Sequence, residues 1–155
     1  MGFVCTAAAE KSSVEVIKDS VIIPIGYNDK EPKSYSLLIA FEPMAGGNPE
    51  FFFCVIEANH QDNTEIRYWS GLDVAKFAST GARNTILNTL LFGTKRLLSH
   101  IAPKRVFCCT HDLHLPEKAL RKHLLIAEIF KMCGYQVQSE PILLGKHSWW
   151  MERHA

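Results

Sequence analysis

Two periods of hydrophobicity divide this chain. In the first seventy or so residues, apolar side chains come in short runs or alternate with polar ones, which is the pattern of strands. Residues 14–25 are rich in Val and Ile and predict a strand, with Pro24 near its end and a polar turn over 26–33. Residues 35–41 predict a second strand. The stretch 43–49, with Gly46 and Gly47, has the composition of a reversal and leads into the aromatic and aliphatic run 51–58. After a polar turn, residues 65–69 predict a short fourth strand, with Ile66 and Tyr68 on one face and Arg67 and Trp69 on the other. Connections this short join antiparallel neighbours, so a meander is expected.

The period then lengthens. Ile86, Leu90, Leu97 and Ile101, beside Leu87, Leu91 and Leu98, recur at three, four and seven residues and predict an amphipathic helix that Gly93 weakens and Pro103 ends. A compact strand over 105–110 follows, and one helix between two strands suits a parallel crossover. Pro116 and Glu117 open a second helix with Leu120, Leu124, Ile129 and Phe130 on its apolar face and Gly134 as its stop. Strands over 135–138 and 148–153 complete the chain. In the last of them Trp149 and Trp150 face opposite ways, one into the core and one toward a surface or partner, which admits a homodimer contact. The fold class expected is α+β. Residues 1–13, small and polar without periodicity, predict a flexible leader, and 14–155 a single domain.

Composition narrows the function classes. With 155 residues, 47% hydrophobic, the chain can bury a sizeable core without metal or disulfide. A formal charge of +1 gives no field to steer nucleic acid, and Lys95, Arg96, Lys104 and Arg105 have no interleaved aromatics, so no nucleic-acid partner is expected. No apolar run approaches the ~20 residues of a membrane span. Five cysteines without a CxxC pair fit a reducing, cytoplasmic setting. Met1, Gly2 and Thr6 match an N-terminal acylation pattern with Cys5 as a second lipid site, although so loose a pattern also recurs by chance. His111, Asp112 and His114 look like the first metal motif of metallophosphoesterases, but no second motif follows, and no metal is expected.

From Glu65 onward the order strand, Gly-containing loop, helix, strand, helix, strand, strand resembles the GNAT family of acetyl-CoA-dependent N-acyltransferases. The resemblance rests on the loop Ser79, Thr80, Gly81, Ala82, Arg83, on the strand RVFCCTHD, and on Phe130, Gly134 and Tyr135, which look like the family's aromatic-x-x-x-Gly-aromatic helix end. It implies a GNAT-like mixed sheet, an N-terminal antiparallel meander followed by strand-helix-strand-helix-strand-strand. It also implies that Ser79, Thr80, Gly81, Ala82 and Arg83 hold the pyrophosphate of acetyl-CoA or a related acyl-CoA at a helix N-terminus. The strands at 65–69 and 105–110 would splay around the pantetheine arm.

On this reading the chain transfers an acyl group from acetyl-CoA or a similar thioester to an amine, carried by a small molecule or a protein. His111 or Glu65 would take the proton from that amine. Phe130 stands where the family often has an acidic tyrosine, so the leaving thiolate would be protonated by solvent or by Tyr135. The plainer reading makes Ser79 or Thr80 a helix cap and Glu65 an exposed strand-end carboxylate. A non-catalytic interaction module or effector that retains an acyltransferase-like scaffold is the alternative function.

Overall fold

The computed structural model describes residues 2–8, 14–110 and 117–153. It has nine strands in one mixed sheet: β1 (Phe3–Cys5), β2 (Glu15–Ile17), β3 (Ser20–Asn28), β4 (Lys33–Pro43), β5 (Pro49–Asn59), β6 (Thr64–Tyr68), β7 (Arg105–Cys109), β8 (Tyr135–Ser139) and β9 (Ser148–Arg153). Three helices interrupt them: the single turn α1 (Gly71–Val74), then α2 (Thr80–His100) and α3 (Glu117–Met132). The sheet order is β1-β3-β4-β5-β7-β9-β8, with β2 beside β3 and β6 beside β5. All pairs are antiparallel except β5 with β7, which are parallel and joined through one register pair, Glu50 with Phe107.

The core occupies one side of this sheet. Leu37, Ile39 and Phe41 of β4 and Phe51 and Val55 of β5 point to the same side as Val21 and Ile23 of β3, Val106 of β7 and Met151 of β9. There α2 lies over β3 and β4, and α3 over Phe51 and β8. Close approach is possible because α2 carries Gly93 where it crosses the sheet: a Cβ there would stand 2.4 Å from Ile39 Cδ1 and 2.9 Å from Ile23 Cδ1. Gly26 has a similar reason at the edge, since a Cβ would strike the Val4 carbonyl and the Phe3 ring of β1. Pro24 lacks an N–H for the ladder, and the β3–β4 register shifts between Pro24 and Gly26, a bulge that takes up the defect.

The opposite face differs. Leu38 and Ala40 of β4 and Cys54 of β5 are buried there, packed against half-buried Ile22, Phe52, Ile56 and Trp69. Among the described residues no helix lies over this face.

The GNAT-like fold expected from the sequence is corrected by these elements. A large sheet with few helices replaces the expected alternation: six strands precede the first long helix. The strand expected to lead into the crossover and to flank β7 was 65–69, whereas β6 is a flap on β5, and β5 itself is the parallel neighbour of β7. The reason lies in the side chains. Four of the five residues of β6 are exposed, and it has no apolar pair of faces to bury, whereas PEFFFCVIEAN is apolar on both and takes the central position. The expected first strand at 14–25 is two strands, β2 and β3, separated by a turn with Lys18 at positive φ. Within the segment expected as a leader, Phe3–Cys5 forms β1 and pairs with Gly26–Asn28.

Candidate functional site

The helix start expected to cradle a pyrophosphate begins with Ser79 as N-cap, whose Oγ accepts a hydrogen bond from the Ala82 N–H at 3.2 Å. The Arg83 guanidinium folds back and donates to Thr80 Oγ1 at 3.1 Å, and Thr85 Oγ1 donates to the Gly81 carbonyl at 3.2 Å. A cleft of about 330 Å³ adjoins this turn, lined by Phe3, Cys5, Phe77, Ser79, Gly81 and Thr85. Its far wall is therefore β1. Between β1 and β5 lie β3 and β4, so β1 is some three strand spacings, ~14 Å, from the place where β5 and β7 part. Gly2 and Cys5, the residues of the acylation pattern, belong to this same edge, where the Gly2 carbonyl accepts from the Asp29 N–H at 2.8 Å.

Of the other expected residues, Glu65 and Tyr135 stand apart from this turn. Glu65 is exposed on β6 opposite Ala58, and by strand alternation it faces the helix-free side, away from α2. His111, with Asp112 and His114, lies outside the described residues. Tyr135 is buried against Phe130, and its hydroxyl donates to the Pro103 carbonyl. Burial pushes that phenol up to about 12, so it is a poor proton source for a thiolate at neutral pH.

The parting of β5 and β7 is occupied by the chain itself. β6 pairs with Val55 to Asn59 on the same edge of β5 that β7 meets at Glu50, so the backbone groups an extended arm would use there are already bonded. On the helix side four rings adjoin one another: His123 lies 5.8 Å from Phe53 and 5.6 Å from Trp149, which has His147 at 6.3 Å. On the opposite side Cys109 Sγ is 3.5 Å from Glu50 Oε2. Burial, and then the Glu50 charge, push this thiol up to about 11, which keeps it protonated and unreactive at neutral pH.

A carboxylate missed by sequence reading lies at the other end of β5. Glu57 is buried, accepts from the Tyr68 hydroxyl at 2.9 Å and has Lys33 Nζ at 3.4 Å. The Glu57 charge, opposed in part by desolvation, raises the Lys33 ammonium above its usual value. Phe77 stacks on Tyr35 at 4.8 Å and stands between this cluster and the cleft. Charge-paired, hydrogen-bonded and walled off, Glu57 reads as a fixed structural carboxylate.

Among the described residues, the helix-free face carries no second layer. Its apolar centre runs over five adjacent strands, from Ile22 on β3 through Leu38, Phe52 and Ile56 to Phe107 on β7 and Trp150 on β9. Phe107 and Trp150 are cross-strand partners with rings 5.0 Å apart, and the Arg105 guanidinium lies 4.0 Å over the Trp150 ring. Glu42 and Glu50 pair opposite each other at one end, and Arg67 pairs with Ile56 at the other. The signal for this face is visible in the sequence, because β4 and β5 are apolar at both parities.

No family model matches the chain, and no curated protein or solved structure is significantly similar to it. Among the described residues no three His, Cys, Asp or Glu side chains converge as metal ligands, and no helix is long and apolar enough to cross a membrane.

Proposed function

We propose that this chain is a non-catalytic interaction module that offers the helix-free face of its sheet to a protein partner. The observation that carries the reading is the apolar cluster from Ile22 to Ile56, continued past Glu50 by the Phe107–Trp150 pair, on a face without a covering layer among the described residues. Two packed layers around one core are the usual solution for a sheet, and an apolar second face is the place where another surface completes the packing. The guanidinium of Arg105 over the Trp150 ring and the carboxylates at the rim match the mixture of aromatic, Arg and polar groups found at binding surfaces.

The rival, acyl transfer from acetyl-CoA or a similar thioester to an amine, keeps one specific observation: parallel β5 and β7 part after a single register pair. Against it stand the occupied edge of β5, the aromatic rings beside it and the distance of Ser79 to Arg83 from that opening. Calorimetric titration with CoA and acetyl-CoA separates the two readings. The module gives no heat up to millimolar ligand. Heat that disappears in Gly81→Glu would overturn it, and the variant is a clean probe because a Cβ at Gly81 meets nothing within 4 Å.

A further inference from the structure

The occupant of the helix-free face can be read from that face's own symmetry, on the footing that the face is an interaction surface. At its middle, β4 and β5 form a checkerboard: Leu38 pairs with Cys54, and Ala40 with Phe52. Large side chains thus alternate with small ones along each strand and across the pair. A two-fold axis in the plane of the interface, crossing the strands at the level of Ile39 and Phe53, would set Leu38 of one copy over Ala40 of the other and Phe52 over Cys54. Leu38, Ala40 and Cys54 keep little exposed surface in the single chain, so half-buried Phe52 carries this contact, seated over the small Cys54 of the other copy twice per pair, as an isologous interface requires.

Charge obeys the same axis. Glu42 and Glu50 stand directly opposite each other, a repulsive arrangement within one chain, and neither has an ion-pair partner among the described residues. Arg67 pairs with Ile56, six residues along β5 from Glu50 and equally far from the Phe53 level on the other side. The operation that sets Phe52 over Cys54 therefore brings Glu50 of each copy to the level of Arg67 of the other.

The size is at the lower end of specific interfaces. The axis carries β9 of each copy beyond the β6 edge of the other, so four strand columns at ~4.8 Å and the rise from Phe52 to Ile56 give, with the side chains at the rim, a footprint on the order of 400 Å². A specific interface buries about 800 Å² on each partner, so the charged margin supplies the remainder.

We infer that the partner of this face is a second copy of the same chain, packed sheet against sheet as a two-layer sandwich across an axis beside Cys54 and Ala40, with reciprocal Glu50–Arg67 ion pairs. Sedimentation equilibrium on the full chain tests it. The chain as it stands should be a dimer at micromolar concentration. Arg67→Glu alone and Glu50→Arg alone should each weaken association by at least tenfold, and the double variant should recover most of the loss. A monomer at about 200 µM overturns the second copy as occupant. A dimer indifferent to both single changes overturns it too, by placing the contact elsewhere. Neither outcome requires acetyl-CoA to bind, so a failed dimer is told apart from a failed interaction module by the calorimetric result.

Discussion

Phe130 is fully buried, edge-on to Phe51 at 5.2 Å and to Tyr135 at 5.1 Å, and anchors α3 to both halves of the sheet. Truncation to alanine leaves a ring-sized void between rigid neighbours, and urea denaturation of Phe130→Ala should show a loss of about 3–5 kcal/mol. The aromatic pattern at 130 and 135 was legible in the sequence. Its meaning was not, because a core ring and a ring beside a substrate leave the same trace. The tyrosines give a pH prediction. Burial pushes Tyr68 and Tyr135 up to about 12, and Tyr35 higher still. Each folded-state value lies above the ~10 of free tyrosine, so the neutral phenols stabilise the fold fully below about pH 10, and that contribution is lost as pH rises through about 12. Ultraviolet difference absorbance should show three of the four tyrosines ionising only as the fold is lost. Titration of all four near pH 10 with the circular dichroism unchanged would refute the burial assigned to them.

At the scale of elements, the long helices and the last strands were legible from periodicity and punctuation. Ser79 caps α2 as its side chain suggests, and Gly134 ends α3 at φ +94°. Ser79→Ala should cost about 1 kcal/mol of stability by leaving the Ala82 N–H without its acceptor. Gly93 was harder to read. Propensity marks it as a weak point in a helix, but its contacts make it the place where α2 touches the sheet. Gly93→Val should therefore destabilise by about 1–3 kcal/mol through overpacking of Ile23 and Ile39, despite the gain in backbone entropy, and a thermal melt would reveal the sign. Strand pairing was the least legible part. Alternation tells which residues share a face but not which strand lies at the centre. The short connection from β5 to β6 was right for a hairpin, yet it hid that β7 would dock on β5 beside that hairpin.

For the molecule as a whole, the sequence carried the residues of the helix-free face but not their assembly. Phe52, Phe107 and Trp150 lie 98 positions apart at the extremes and meet only through the β5–β7–β9 order. The expected donor loop was a local motif and could be located, whereas its place against β1 depends on the path of α2 across the sheet. If the face serves association, its residues tolerate charge in the single chain. Phe52→Asp, half-buried at the surface, should keep the far-ultraviolet circular dichroism and a cooperative melt while abolishing concentration-dependent sedimentation. The most direct test is hydroxyl-radical footprinting of the full chain at nanomolar and at high micromolar concentration. The account predicts that Phe52 and Phe107 are oxidised in the dilute sample and protected in the concentrated one, while Trp149, buried under α3, stays unmodified in both. Equal oxidation of Phe52 and Phe107 at the two concentrations would contradict it.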